Sequence, residues 1–307
     1  MVAIIYSDQF LQHKTGSFHP ERPERLTAIV EALQSARWNQ QLNWQQPTPI
    51  IQRDVLPYVR RLHLESYLRA LENLAAKGGG SLDMDTPVSP QSYDIALLAV
   101  SAWLDGIDHV LHYQEPAFVL ARPPGHHAVS GRGMGFCLLS NAAIAAYYAL
   151  EQPEVNKVAI IDWDVHHGNG TEALVEDNAQ IAYCSLHQSP CYPGTGAASD
   201  RGHYNNVLNL PMSPESNMSD YQPAFETGVI PFVKAFEPDL LIVSAGYDAN
   251  KADSLANIAL IPSDYGVFTK YLLKLSPRIV FGLEGGYDLP ALSQSVVATI
   301  KACIEKD

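Results

Sequence analysis

Six short apolar runs constrain this chain more than any other feature of it; they lie at 3–6, 117–120, 158–163, 181–185, 240–245 and 279–283. Each has the length of a strand. Each of the last five runs straight into polar residues, most of them with glycine close by. Between the runs, apolar residues recur at three- and four-residue steps over 24–36, 92–112, 141–150, 222–236, 264–275 and 290–304. The clearest case is 92–112, where Ala96, Leu97, Val100, Trp103, Leu104, Ile107, Val110 and Leu111 make one helical face. This alternation predicts an α/β fold: a mostly parallel central sheet flanked by helices on both faces. With 307 residues and 47% hydrophobic content the chain can bury a large core without disulfides. It shows no internal repeat and no low-complexity linker, and Gly78-Gly79-Gly80 is its nearest approach to a flexible joint. One domain over 1–307 is therefore expected.

The charge balance narrows the partners. The net charge is −13, from 20 basic and 33 acidic residues, which argues against a general nucleic-acid binder and suits a cationic substrate. No apolar run reaches the length of a membrane span, and Met1-Val2-Ala3-Ile4-Ile5-Tyr6 reads as a first strand and not as a signal peptide. No membrane association is expected. Cys137, Cys184, Cys191 and Cys303 have no C-x-x-C spacing, which suits reduced thiols in a cytoplasmic protein.

In a parallel sheet the C-terminal strand ends share one edge, where such folds bind their ligands. Following 158–161, Asp162, Asp164 and His166 alternate along the strand exit, so all three leave it on one side. A single Asp-x-His spacing is weak evidence for a metal, and Asp248 alone reads as a helix N-cap. Together, Asp164, His166 and Asp248 make a set of two carboxylates and one imidazole, with a position open for water or substrate. Zinc suits such a set, and iron(II) could occupy one this rich in oxygen. His126 and His127 stand in a glycine-proline context at another strand end, where a histidine could carry a proton to and from the reacting group. Asp162 and Asn169 are candidate partners for their other ring nitrogens. An Asp raises imidazole basicity and an Asn only orients, so the two histidines would differ in pKa. Tyr287 follows two glycines, and its phenol could donate a hydrogen bond to an oxyanion.

Taken together, these segments resemble the histone deacetylase and acetylpolyamine amidohydrolase family. The shared motifs are HPERPER at 19–25, RPPGHHA at 122–128, GFC at 135–137, DWDVHHGNGT at 162–171, SLH at 185–187, SAGYDA at 244–249 and EGGYD at 284–288, in the family's order. Asn169 and the HPERPER start are similar to the class II branch and its bacterial relatives. The resemblance implies an arginase-like fold and amide hydrolysis that depends on one catalytic Zn2+. It implies Asp164, His166 and Asp248 as ligands, His127 as main general base and acid, His126 as second histidine backed by Asp162, and Tyr287 as the group polarising the carbonyl. Gly135 and Phe136 match one wall of an acyl-lysine tunnel and Tyr192 the other, where many relatives carry phenylalanine. Arg25 matches an arginine near the path of released acetate. Asp162, Ser185 and Leu186 match contributors to a structural K+ site, partly through backbone carbonyls. At the rim, Asp85 loosely matches a substrate-gripping aspartate, with Asp83 as the alternative. Leu255 falls where acetylpolyamine-specific relatives carry an acidic gatekeeper. An apolar residue there favours acetylated lysine in proteins or peptides. Hydrolysis of acetylpolyamines or other small acylated amines is the second reading, and a non-catalytic acyl-lysine binder the third.

Overall fold

All six apolar runs become strands in the computed structural model, which describes residues 1–305. The strands are β1 (Val2–Tyr6), β2 (Leu42–Gln45), β3 (Gly80–Ser81), β4 (Pro87–Val88), β5 (Ala117–Leu120), β6 (Val158–Asp162), β7 (Ile181–Gln188), β8 (Val207–Met212), β9 (Leu240–Ala245) and β10 (Ile279–Leu283). Eight of them form one sheet in the order β2-β1-β5-β10-β9-β6-β7-β8. Every pairing in it is parallel. The strands from β5 to β7 are buried along their whole length in this order, as a sheet covered on both faces requires. β3 and β4 make a separate antiparallel pair.

The helices are α1 (Glu24–Ser35), α2 (Leu56–Leu62), α3 (Glu65–Ala76), α4 (Ser92–Tyr113), α5 (Asn141–Ala149), α6 (Asn169–Val175), α7 (Met218–Ala224), α8 (Ile230–Phe236), α9 (Pro262–Leu273) and α10 (Leu289–Ile304). The predicted helix over 222–236 is three pieces: a more widely wound stretch, Phe225–Val229, separates α7 from α8. By length and composition α4 could cross a membrane, but it packs on β1, β5 and β10 and is mostly buried. It is the core helix that its apolar periodicity describes.

The segment before α1 is anchored by charge. Glu21 is fully buried and receives Arg122 through Nε and through Nη2 at 2.7 Å, and Arg25 through Nη1 at 3.1 Å. Burial opposes its charge, but Arg122 and then Arg25 outweigh burial and bring it from 4.5 to about 2. Burial also lowers His13 and His63 from 6.5 to about 4. The signs agree. Below pH 6.5 the unfolded chain takes up protons that these two buried histidines refuse, and below pH 4.5 the unfolded Glu21 does the same. The buried carboxyls Glu284 and Asp248, raised by burial to about 7 and about 6, act in the opposite sense over the same range. The histidine contribution is therefore read by comparison: the melting temperature of wild type, followed by calorimetry with chelator present throughout, should fall more between pH 6.5 and 4 than that of His63→Gln. An equal change in the two proteins would refute this account of the buried histidines.

Candidate active site

The strand order brings the sequence motifs together. β5, β10, β9 and β6 are consecutive neighbours, so the segments that leave their C-terminal ends meet at one edge. His126 and His127 follow β5, Asp164 and His166 follow β6, Asp248 follows β9, and Tyr287 follows β10.

His166 Nδ1 lies 3.1 Å from Asp164 Oδ1 and 3.2 Å from Asp248 Oδ2. One donor atom from each residue falls within 4.8 Å of the other two. Asp248 Oδ1 accepts from the Val165 amide at 3.0 Å, and Asp164 Oδ2 accepts from the Gly285 amide at 2.8 Å. Asp248 Oδ2 is buried and, despite its nearness to His166, has no hydrogen bond of acceptable geometry. A buried carboxylate oxygen left this way is costly unless something cationic meets it. A Cβ at Gly285 would collide with both carboxylates, so only glycine fits there. Two carboxylates, one imidazole and an oxygen lacking a donor fit a divalent cation.

The histidine pair is differentiated by its partners. His126 Nδ1 sits 3.1 Å from Asp162 Oδ2, and His127 Nδ1 sits 2.9 Å from Asn169 Oδ1. Burial disfavours a charged His126, but Asp164 and Asp162 more than offset burial and raise it to about 10. His127 is held well below its usual value by burial and then by the positive neighbours His126 and His166. Asn169 can only accept at Oδ1, so Nδ1 of a neutral His127 carries the proton and Nε2 is left as the basic atom.

Tyr287 is held from several sides. Its ring meets Phe136 edge-on at 5.7 Å, and the Arg25 guanidinium lies 5.0 Å from its centroid. Arg25 is fully buried, and it donates to the Gly286 carbonyl at 2.6 Å and the Glu284 carbonyl at 2.5 Å. Arg25 thus braces the glycine turn that aims Tyr287, and it does not line the pocket above. Burial pushes the Tyr287 phenol well above 10, so it stays protonated. A cavity of about 230 Å³ opens over these groups, lined by Asp85, His127, Gly135, Phe136, His166, Tyr192, Leu255 and Tyr287. Both Gly135 and Phe136 have left-handed backbone, at φ +53° and +70°. For a phenylalanine this is strained, and it is offset locally: Thr86 Oγ1 accepts from the Phe136 amide at 3.1 Å and the His19 ring packs edge-on at 4.7 Å.

All of the tunnel residues read from the sequence line one cavity, Asp85 and Leu255 included. Asp85 lines the same cavity as Leu255, so an acidic residue as well as an apolar one stands at its edge. Ser185 pairs with Asp162 across β6 and β7, and Leu186 follows it in the buried strand. The Ser185 hydroxyl pairs with His187 Nδ1, and both Asp162 oxygens already accept hydrogen bonds. A monovalent cation there would depend largely on backbone carbonyls. Sequence reasoning missed Glu21, Arg122 and Asp253 as supports of the site. The HPERPER motif contains Glu21 and was the available signal for it. Nothing local marked Asp253.

Comparison with known proteins gives a consistent result. The histone deacetylase domain family matches residues 19–303. A protein from Synechocystis is 62% identical over 98% of this chain and 99% of its own length. A histone deacetylase-like amidohydrolase from Pseudomonas aeruginosa is 35% identical over 91% of this chain and 75% of its own. The crystal structure of the HDA15 HD domain superposes with a TM-score of 0.93 at 34% identity, covering 99% of this chain and 89% of that one.

Proposed function

The chain belongs to the histone deacetylase family, and from that premise we propose that its amidohydrolase chemistry is zinc-dependent and acts on N-acetyl-lysine in proteins or peptides. The observation that carries this reading is the small cavity that sets His127, His166 and Tyr287 together behind the aromatic walls Phe136 and Tyr192. Such a space takes a linear acylated alkylamine and turns away bulky groups. Asp164, His166 and Asp248 would hold the zinc, which when bound acidifies a water and polarises the acyl carbonyl.

The chain's own residues supply the rest. Neutral His127, its Nδ1 fixed by Asn169, accepts at Nε2 the proton released as water attacks the carbonyl carbon. The protonated Tyr287 hydroxyl donates to the oxygen as negative charge develops on it. His127 then returns the proton to the departing amine. His126, its Nδ1 beside Asp162 Oδ2 and its ring 3.9 Å from that of His127, would when protonated add positive potential next to the proton carrier. His127→Ala should therefore lower kcat by about 10²- to 10⁴-fold. Asn169→Ala removes only the orienting partner and should cost about ten- to a hundred-fold. If His126→Ala abolishes turnover and His127→Ala preserves it, the two roles are exchanged.

Asp85 gives the second reading a specific basis, since a carboxylate at the mouth could pair with the free ammonium of an acylated polyamine. A side-by-side assay of zinc-replete protein on acetyl-lysine peptides, longer acyl-lysines and acetylspermidine tests the choice. The highest kcat/KM should fall on an acetyl-lysine peptide. A preference for acetylspermidine would replace this reading with the second.

A further inference from the structure

One carboxylate outside the pocket ties two of its walls together. Asp253 is 7% exposed and lines no part of the cavity. Its Oδ2 accepts from the Tyr287 amide at 2.6 Å and from the Asp288 amide at 3.2 Å. Its Oδ1 accepts from the Leu255 amide at 3.1 Å. Tyr287 and Leu255 belong to segments that leave different strands, β10 and β9, and both line the cavity. The loop that carries Asp253 is itself fixed. The Asp253 amide donates to the Asn250 carbonyl at 2.8 Å, the Lys251 amide to the Leu260 carbonyl at 2.9 Å, and the Ala252 amide to Asn250 Oδ1 at 3.1 Å. On the other side Asp288 caps α10 by accepting from the Ala291 amide at 2.9 Å.

Tyr287 is therefore gripped at two points. Arg25 takes the carbonyls before it, and Asp253 takes its own amide and the next one. Ionised carboxylates make the stronger kind of hydrogen bond to backbone N–H groups, and three such bonds converge on this one side chain. We infer that Asp253 is a positioning residue, which sets the Tyr287 hydroxyl against the reacting carbonyl and couples it to Leu255 at the rim. This rests on the amidohydrolase reading above. Asparagine cannot serve all three amides: its single oxygen can face the Tyr287 and Asp288 amides or the Leu255 amide, leaving an NH2 group opposed to the other.

The test is a double-mutant cycle on an acetyl-lysine peptide, with Asp253→Asn, Tyr287→Phe and both together. Asp253→Asn should lower kcat by about ten- to a hundred-fold, the scale of a small displacement of a reacting group. Zinc content should stay within about two-fold of wild type, and the loss should fall more on kcat than on KM, since the Tyr287 hydroxyl acts in the transition state while Leu255 only borders the bound substrate. In the Tyr287→Phe background, which has no hydroxyl to position, the same change should alter kcat by less than about two-fold. Equal losses in both backgrounds, or no loss in either, would overturn the inference and leave Asp253 as an ordinary loop anchor. If Asp253→Asn is too unstable to purify, Asp253→Glu is carried through the same cycle: it keeps the charge and shifts the carboxylate by one methylene. Wild-type protein inactive on every acylated amine would instead overturn the proposed function.

Discussion

The Asp164→Ala, His166→Ala double variant is expected to purify without zinc and without measurable turnover. Zinc in a catalytic site is held by three protein ligands, and this change leaves Asp248 alone. The two losses should coincide, because the same atoms would serve binding and reaction. The double variant also removes the partner of the Gly285 amide, so some loss of stability is expected with it. Asp164→Asn separates the effects. It keeps an oxygen for that amide and deletes the charge, so the fold should persist while zinc affinity falls. Stoichiometric zinc in the double variant, read by metal analysis, would show that the ion is held elsewhere.

Tyr287→Phe should lower kcat by about 10²- to 10³-fold, a loss of roughly 2.7–4 kcal/mol for one oxyanion donor. The ring remains in place, so its contacts with Phe136 and Arg25 survive the change. What disappears is one hydrogen bond that matters only once charge develops on the carbonyl oxygen. KM should therefore change little and zinc should remain bound. A variant with near wild-type kcat on its best substrate would make Tyr287 a structural residue.

How legible the molecule was follows from where each residue sits. β5, β9 and β10 have the bounds the apolar runs predict, because strands buried on both faces read as unbroken hydrophobic stretches. β2 and β8 escaped notice. They are the two edges of the sheet, half-exposed, with Asn43 and Gln45 in one and Asn209 and Pro211 in the other. An edge strand tolerates such residues, and its pattern is correspondingly weak. α6 begins inside the glycine-rich motif that carries Asn169, so its short helix was hidden by a segment that reads as a loop. Chemistry-bearing residues at strand ends were visible because their types are informative there. Supports such as Asp253 and Glu21 were not, since the partners that tie them to the site, Tyr287 and Arg122, come from segments distant in sequence and an acidic residue in a loop ordinarily faces solvent. From residue types alone the partners of His126 and His127 were open; the family resemblance set Asp162 behind His126, and the geometry places Asn169 at His127.

If amide hydrolysis depends on one zinc held by Asp164, His166 and Asp248, protein stripped of metal should release no acetate from an acetyl-lysine peptide. As zinc is added in steps, turnover should rise in proportion and level off at one equivalent per chain. Undiminished turnover in the stripped protein, or none at any zinc ratio on any acylated amine, would show that the site does not work this way.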